Sequence, residues 1–428
     1  MQEEQTVTFQ PVNYVAPRWV QITAATIGVA LETFDLVMYG LLAVTLSSVF
    51  FPARNPTTSL LLVFSAYGLP YVARPLGAAV LGAYGDRRGR KKALTLSIQL
   101  MTAGTAIMAL MPPFALIGLV APIGIFTARL LQAFSFSGEF GSATAFMTEQ
   151  TKARKGFYAS WQSVSQKMGG LLAALFGLFL TTALSHAQLS AWGWRLPFFF
   201  GLLVGPVGLY IRRHVQETPE FVDIIPVRAP VREVFSAAGL RLLLGACVYA
   251  LHFGFSAFSV YLPTFAIQQL KLPPYAPFYG LLLSLGLGIV LSLTFGHLSD
   301  KVGRIRIMLP ASVLALISLY PAFALLVHYK SVPVLLLALV WFALLQAATS
   351  TGPAYALTSE MFPTQIRSTG MSLSYNGGSL TFNAFAPIAF TSLIGITGSA
   401  VAPSFYLTGT TLVTMLSLIV LWHKLGFR

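Results

Sequence analysis

Runs of about 20 mostly apolar residues recur from one end of this 428-residue chain to the other. A helix of that length crosses the hydrocarbon core of a bilayer. Hydrophobic residues make up 56% of the chain and charged residues only 9%, and a soluble fold could not keep so much apolar surface away from water. The sequence therefore predicts an all-α protein that crosses a lipid bilayer many times.

Twelve apolar runs follow one another, mostly with short connections between them. We predict membrane-spanning helices at residues 19–50, 59–83, 93–111, 116–146, 157–184, 194–212, 237–267, 277–297, 307–328, 333–356, 368–395 and 401–422. The connection at 213–236 is longer and more polar than the others. It divides the chain into an N-terminal six-helix bundle at 1–212, a cytoplasmic linker at 213–236 and a C-terminal six-helix bundle at 237–428.

Lysine and arginine residues are distributed unevenly between the two sets of alternate connections. One set holds only Arg54, Arg195, Lys271 and Lys330, whereas most of the 27 basic residues lie in the other set and in the termini. Basic residues accumulate on the cytoplasmic side of membrane proteins, so both termini are predicted to be cytoplasmic. The formal net charge of +14 has the same origin, and we expect no nucleic-acid partner.

Two short charged turns share the pattern G-x-x-x-D-x-x-G-R, and half the chain length separates them. Glycine permits a tight turn. An aspartate can bind the N-terminus of a neighbouring helix, and an arginine can neutralise a helix C-terminus. Basic turns alone would reflect only the positive-inside rule, but the repeated aspartate and glycines favour a latch that opens when the two halves move. The predicted gating residues are Asp86, Arg90, Asp300 and Arg304.

Three cations and three carboxylates fall inside the predicted spans of the N-terminal half: Arg74, Arg129, Lys167, Glu32, Asp35 and Glu139. Glu32 and Asp35 are three residues apart and share one helix face. Two such carboxylates in a low-dielectric site disfavour double ionisation, so one can take up a proton. Arg129 could hold the other as a carboxylate, and Glu139 is a further candidate for proton coupling. A static ion-pair network remains the alternative.

Arg74 and Lys167 are the predicted ligands of a substrate carboxylate, because arginine offers a planar fork and lysine a point charge. Arg74 could instead stabilise a kink at Pro75. The other predicted substrate-binding residues are Arg129, Gln162, Ser163, Gln166, Tyr375 and Asn376. Further neutral polar residues in the C-terminal spans could complete a site between the halves, and His252 is expected to be a hydrogen-bonded packing residue or a proton relay.

The duplicated turns and the two sets of six spans resemble the major facilitator superfamily over the whole chain. Several segments are similar to its metabolite–proton symporters: Glu32–Gly40, Arg74–Gly77, Arg129–Gln132, Gly138–Glu139, Gly193–Phe198 and Glu217–Phe221. The segment Gly156–Gln166 resembles the citrate–proton and tricarballylate branch most closely. Ser137 and Ala133 replace glycines that are usual in the family. Lys167 stands where the citrate carriers have an uncharged residue, which leaves the exact substrate open.

The resemblance implies a transporter of the bacterial inner membrane that imports a small carboxylate with protons by alternating access. Citrate or another tri- or dicarboxylate is expected, with betaine, proline or 2-oxoglutarate as alternatives. The duplicated turns disfavour a passive channel, which has no need of alternating gates. The sequence has no H-E-x-x-H or G-x-S-x-G motif and a single cysteine, Cys247. We therefore expect neither an enzyme nor a bound metal or cofactor, and we expect a monomer.

Overall fold

The computed structural model describes residues 18–77, 80–81, 90–137, 144, 148, 154–203, 205–206, 230–363 and 366–427, and all regular elements in these ranges are helices. The α-helices are α1 (Arg18–Leu41), α2 (Ala43–Phe50), α3 (Pro56–Gly68), α4 (Arg90–Leu110), α5 (Phe114–Ile117), α6 (Val120–Phe136), α7 (Lys155–Ala183), α8 (His186–Ala191), α9 (Leu196–Gly201), α10 (Pro230–Val248), α11 (Ala250–Gln268), α12 (Ala276–Val302), α13 (Arg304–Tyr329), α14 (Val332–Gln346), α15 (Pro353–Met361), α16 (Arg367–Phe382), α17 (Ala386–Thr397) and α18 (Pro403–Leu425). The predicted all-α class is confirmed for the described part of the chain.

Eight helical segments in the described ranges are long and apolar enough to cross a membrane. They are Pro56–Gly77, Lys155–Ala183, Ala238–Gln268, Ala276–Val302, Arg304–Tyr329, Val332–Met361, Thr369–Thr397 and Pro403–Leu425. Helices α1 and α2 meet at an angle of 67° and add a ninth if they act as one bent span. Each of these segments coincides with a predicted span. The three remaining predicted spans contain α4, α6 and α9, which are shorter in their described apolar parts.

The predicted linker at 213–236 contains the start of α10. This helix begins at Pro230, and its backbone leaves helical geometry at Ala238. The apolar span that leads into α11 begins at the same Ala238. Residues 230–237 therefore form a helical extension before the apolar segment, while 213–229 lie outside the described ranges.

The span Val332–Met361 contains a π-helical turn at Ala347–Thr351, between α14 and α15. Proline at position 353 lacks a backbone N–H and so cannot continue the regular hydrogen-bond ladder through this point. Single π turns inside helices occur often at functional sites. Here the turn directly follows Gln346, whose side chain contacts a buried cation described below.

Helix α7 has 29 residues and packs along α1 on one side and α12 on the other. A Cβ at Gly169 would overlap the carbonyl oxygen of Ala30, so these two backbones touch. Farther along, the ring of Phe176 packs on Phe34 at 5.4 Å between centroids. The two helices therefore run in the same direction. Helix α7 therefore contacts α1, which precedes residues 207–229 in sequence, and α12, which follows them.

Candidate functional site

Asp35 on α1 is fully buried and accepts hydrogen bonds from two other helices. Gln132 on α6 donates from Nε2 to Oδ2 of Asp35, and Thr105 on α4 donates to the same oxygen at 3.3 Å. Arg129 donates from Nη1 to Oε1 of Gln132 at 3.0 Å. One amide therefore connects the arginine to the carboxylate. Oδ1 of Asp35 has no hydrogen-bond partner among the described residues, so this oxygen is available to a proton.

A small cavity lies beside this cluster, and its lining includes Glu32, Arg74 and Arg129. Its volume of ≈ 10 Å³ is about the space that one water molecule needs. Arg129 also lies over the rings of Tyr39 and Tyr67, at 4.7 Å and 5.5 Å from their centroids. The structure thus gathers three of the charged residues singled out from the sequence around one cavity. The cavity is too small for a molecule the size of an organic acid.

Arg74 is only 2% exposed and connects the N-terminal part of the chain to α16. Its guanidinium lies over the ring of Tyr71 at 3.8 Å and that of Phe136 at 4.4 Å. Nη1 donates to Oγ of Ser379 at 3.4 Å, while Nε has no hydrogen-bond partner in the described part of the chain. No carboxylate of a described residue lies within 4 Å of it. Aromatic rings therefore position the fork, and no described carboxylate forms a direct ion pair with it.

Lys167 on α7 is a second buried cation, with 6% of its surface exposed. Its Nζ donates to Oε1 of Gln346 at 3.0 Å, across the contact between α7 and α14. Among the described residues no carboxylate lies within 4 Å of Nζ. A charge at the centre of a bilayer costs about 2.5–3.5 kcal/mol even on the mildest scale. A buried ammonium whose hydrogen-bond partner is neutral can therefore bind an anionic ligand.

A polar network extends from the neighbouring residue, Gln166, into the C-terminal part of the chain. Gln166 donates from Nε2 to the Tyr375 hydroxyl at 3.0 Å and accepts at Oε1 from the Tyr355 hydroxyl at 3.2 Å. The Tyr355 hydroxyl also lies 3.4 Å from Nε2 of His252. Sequence reasoning missed Tyr355, since a tyrosine in an apolar run looks like a packing residue. Gln166 and Tyr375, which were both predicted, lie in direct contact.

Three other predicted substrate-binding residues have different surroundings. Gln162 is fully buried, and neither atom of its amide has a hydrogen-bond partner in the described ranges. Ser163 lies 3.5 Å from Ser292 of α12, oxygen to oxygen. Asn376 donates to the carbonyl of Ser372 within its own helix, at 2.9 Å, and its Oδ1 has no partner among the described residues. The side-chain amide of Gln162 and Oδ1 of Asn376 could therefore form hydrogen bonds with a ligand.

The turn around Asp300 lies against the start of α7. The two carboxylate oxygens of Asp300 accept hydrogen bonds from the backbone N–H groups of Gly156 and Phe157, at 2.8 Å and 3.0 Å. Arg304 forms ion pairs with Asp300 at 2.7 Å and with Glu360 at 3.2 Å. We call the contact made by Asp300, Gly156, Phe157, Arg304 and Glu360 the inner contact. Asp86, Glu139 and the side chain of Arg90, which were also predicted to be functional, lie outside the described residues.

A second close contact joins α1 to α11. A Cβ at Gly40 would overlap the side chain of Val260. Because α1 and α7 run in the same direction, Gly40 lies toward the end opposite Gly156. We call the pair Gly40–Val260 the outer contact. The buried polar residues of α7, from Ser160 to Lys167, follow Gly156 along the same helix.

Comparison with known proteins agrees with this architecture. The family model described as Major Facilitator Superfamily matches residues 25–292, and one described as Sugar (and other) transporter matches 226–423. A citrate-proton symporter of Klebsiella pneumoniae is 34% identical, over 94% of this chain and 91% of that protein. The alpha-ketoglutarate permease of Escherichia coli K12 is 32% identical, over 94% and 93% of the two chains. A solved D-xylose-proton symporter superposes with a TM-score of 0.75 at 16% identity, covering 95% of this chain and 97% of that one.

Proposed function

The chain belongs to the major facilitator superfamily, and on that premise we propose that it imports a small organic carboxylate together with protons by alternating access. Citrate or a related tri- or dicarboxylate is the proposed substrate. The chain is a multi-pass membrane transporter, in accord with its apolar helices and its bacterial relatives. We place it in the bacterial inner membrane as a monomer, with twelve spans, cytoplasmic termini, bundles at 1–212 and 237–428 and a linker at 213–236.

The observation that supports the proposal is a set of three buried cations that form no direct ion pair among the described residues. Arg74, Arg129 and Lys167 are each buried, and in the described part of the chain none has a carboxylate within 4 Å. Buried charges are expensive unless they are paired. An anionic substrate would supply the missing charges, and one with several carboxylates could engage more than one of these cations.

Proton coupling is assigned to Asp35, with Glu32 beside it and Glu139 as a further candidate. The chain Asp35–Gln132–Arg129 links a carboxylate to a cation that borders the cavity. Protonation of Asp35 removes the charge that holds Gln132 and, through it, Arg129. Arg129 could then turn toward a substrate anion, so that proton uptake and substrate binding favour each other.

Alternating access requires that the inner and outer contacts open in turn. The inner contact consists of hydrogen bonds and ion pairs at a helix N-terminus. These bonds are strong while the helices are in contact, and water can replace them when the helices separate. Asp86 and Arg90 are proposed to form the equivalent contact for the other half. The outer contact depends on the absence of a side chain at Gly40.

A zwitterion such as betaine or proline is the main rival substrate, because its cationic end could pair with Glu32 or Asp35. Lys167 argues against it. This residue adds a third buried cation far from those acids in sequence, and its hydrogen bond to Gln346 does not compensate the charge. A zwitterion brings as much positive charge as negative and so could not neutralise the site.

The test is uptake of labelled citrate into proteoliposomes, with and without an inward proton gradient, and with unlabelled competitors. Gradient-driven uptake that tricarboxylates block is the expected result. The variant Arg74→Lys, which retains the charge but loses the fork, should weaken citrate uptake, whereas Arg195→Lys outside the site should not. Inhibition by betaine or proline, with no citrate uptake, would exclude the proposed substrate.

A further inference from the structure

His252 presents a hydrogen-bond acceptor with no donor. The side chain is 5% exposed, and its Nδ1 has no hydrogen-bond partner among the described residues. The residue lies near the start of α11, directly after the break in the helix at Tyr249. Leaving a buried polar atom unpaired costs about 1–3 kcal/mol. A ligand that supplies the missing partner would account for such an atom.

The surrounding hydrogen bonds determine which ring nitrogen is the acceptor. The Tyr355 hydroxyl has one proton and donates it to Oε1 of Gln166. With that proton engaged, the hydroxyl oxygen, which also interacts with Tyr375, favours the tautomer in which Nε2 of His252, 3.4 Å away, is the donor. The neutral imidazole then carries its proton on Nε2 and its lone pair on Nδ1. What is missing at His252 is thus a donor, such as a hydroxyl group.

The titratable groups around the imidazole do not provide that donor. Tyr249, Tyr355 and Tyr375 pack against its ring, with centroids 6.4 Å, 6.0 Å and 6.4 Å away. The Tyr249 hydroxyl pairs with Thr358, and the Tyr355 hydroxyl with Gln166. The ammonium of Lys167 is close enough to act electrostatically on the ring, while it donates to Gln346.

A cation near a vacant acceptor fits a carboxylate that carries a hydrogen-bond donor on the adjacent carbon. The carboxylate of an α-hydroxy acid is an acceptor, and its hydroxyl, on the adjacent carbon, is a donor. We propose that Lys167 and His252 together recognise an α-hydroxycarboxylate, with Lys167 binding the carboxylate and Nδ1 of His252 accepting a hydrogen bond from the hydroxyl. This inference rests on the proposed function and narrows its substrate class.

The proposed hydrogen bond from the substrate hydroxyl to Nδ1 of His252 disfavours acids that lack this hydroxyl. A 2-oxo acid has an acceptor where the hydroxyl would be, so it faces the lone pair of Nδ1 with another lone pair. An acid without the oxygen leaves Nδ1 buried and unpaired. A site built to bind a hydroxyl discriminates against analogues that lack it. The expected preference is therefore for the hydroxy acid over both relatives.

The test measures the binding of matched acids to the purified, full-length transporter by titration calorimetry. One set is citrate and tricarballylate, which differ only in the hydroxyl. The other is 2-hydroxyglutarate, 2-oxoglutarate and glutarate. We expect the hydroxy member to bind about tenfold or more tightly in each set, as for the gain of one hydrogen bond to a buried acceptor.

Variants at His252 then locate the preference. His252→Gln reaches toward the Nε2 position and should abolish the difference within each set. His252→Asn can place its amide oxygen at the Nδ1 position and should retain part of it. Because both variants keep a polar side chain of moderate size, a fall in discrimination can be separated from a loss of folding. His328→Gln, at an exposed histidine, is the matched control and should behave as the wild type.

The outcomes separate the inference from the function on which it rests. Equal affinities within both sets, or a preference that survives in His252→Gln, would overturn the inference while the carboxylate transporter stands. No binding of any of the five acids would overturn the proposed function and the inference with it. A hydroxyl preference that disappears in His252→Gln but persists in His252→Asn supports both.

Discussion

The Asp300 carboxylate accepts a hydrogen bond of 2.8 Å from the backbone N–H of Gly156, although the two residues are 144 positions apart. A carboxylate at a helix N-terminus is stabilised by the helix dipole and by the unpaired N–H groups of the first turn. This contact spans the undescribed segment between the two parts of the chain. If the two parts separate at this end during transport, this contact must break.

Asp300→Asn should open the inner end more often. An amide retains the shape but loses the charge that binds the helix N-terminus and Arg304, and charge-assisted hydrogen bonds contribute about 1.5–3 kcal/mol. We expect the alkylation rate of a reporter cysteine at buried Ser160, in a Cys247→Ala background, to rise several-fold or more. Lys301→Gln changes the adjacent exposed charge and should leave the rate unchanged. Equal rates in the two variants would argue against a latch.

Asp35→Asn should uncouple transport from the proton gradient. The amide cannot take up and release a proton, yet it can still accept from Thr105 and lie beside Gln132. Gradient-driven accumulation of citrate in proteoliposomes should therefore be lost while citrate exchange between equal pools continues. Thr105→Val removes the hydrogen bond of 3.3 Å to Asp35 but leaves the Asp35 carboxylate in place. This variant should therefore still accumulate citrate. Normal accumulation by Asp35→Asn would transfer the coupling role to Glu32 or Glu139.

Lys167→Met should affect binding and stability in opposite directions. Removal of the charge should raise the half-saturation concentration for citrate by about 10- to 100-fold, since a charge-assisted hydrogen bond contributes about 1.5–3 kcal/mol. The empty protein should be as stable as the wild type or more so, because a buried unpaired ammonium is lost. Uptake kinetics and the Tm followed by tryptophan fluorescence measure the two effects.

The control for this variant is Lys330→Met, which removes a positive charge at an exposed position. It should leave both readouts unchanged. A drop in the Tm of Lys167→Met with unaltered affinity would indicate that Lys167 is a structural residue held by Gln346, and the substrate site would then need a different cation.

Local features of the sequence were enough to locate the eight long apolar helical segments that the structure describes. Apolar length identified the segments, and the pattern around Asp300 pointed to a helix N-terminus as its partner. Arg74 and Lys167 stood out because charges are rare inside apolar runs. These predictions depend on composition within about 20 residues, which is the range over which hydrophobic length and periodicity carry information.

The partners of the charged residues could not be predicted in this way. Lys167 and Gln346 are 179 positions apart, and Arg74 and Ser379 are 305 apart. Such contacts depend on how helices pack across the whole molecule, and small residues such as serine look alike on every apolar helix. Tyr355 and Thr105 were missed for the same reason. Arg129 and Gln132 are neighbours on α6, but their link to Asp35 on α1 joins positions 97 residues apart.

Gly156→Ala tests the inner contact by shape instead of charge. A Cβ at this position would overlap the carbonyl oxygen of Gly296 on α12, and a backbone atom cannot move aside as a flexible side chain can. Overpacking of this kind costs about 1–3 kcal/mol, which corresponds to about a 5- to 150-fold shift of closure toward the open inner end. Citrate exchange in counterflow should slow accordingly. Gly409→Ala adds the same methyl group to exposed α18, where nothing lies within 4 Å, and should exchange at the wild-type rate. If both alanine variants exchange equally fast, close backbone approach at Gly156 is not required for the transport cycle.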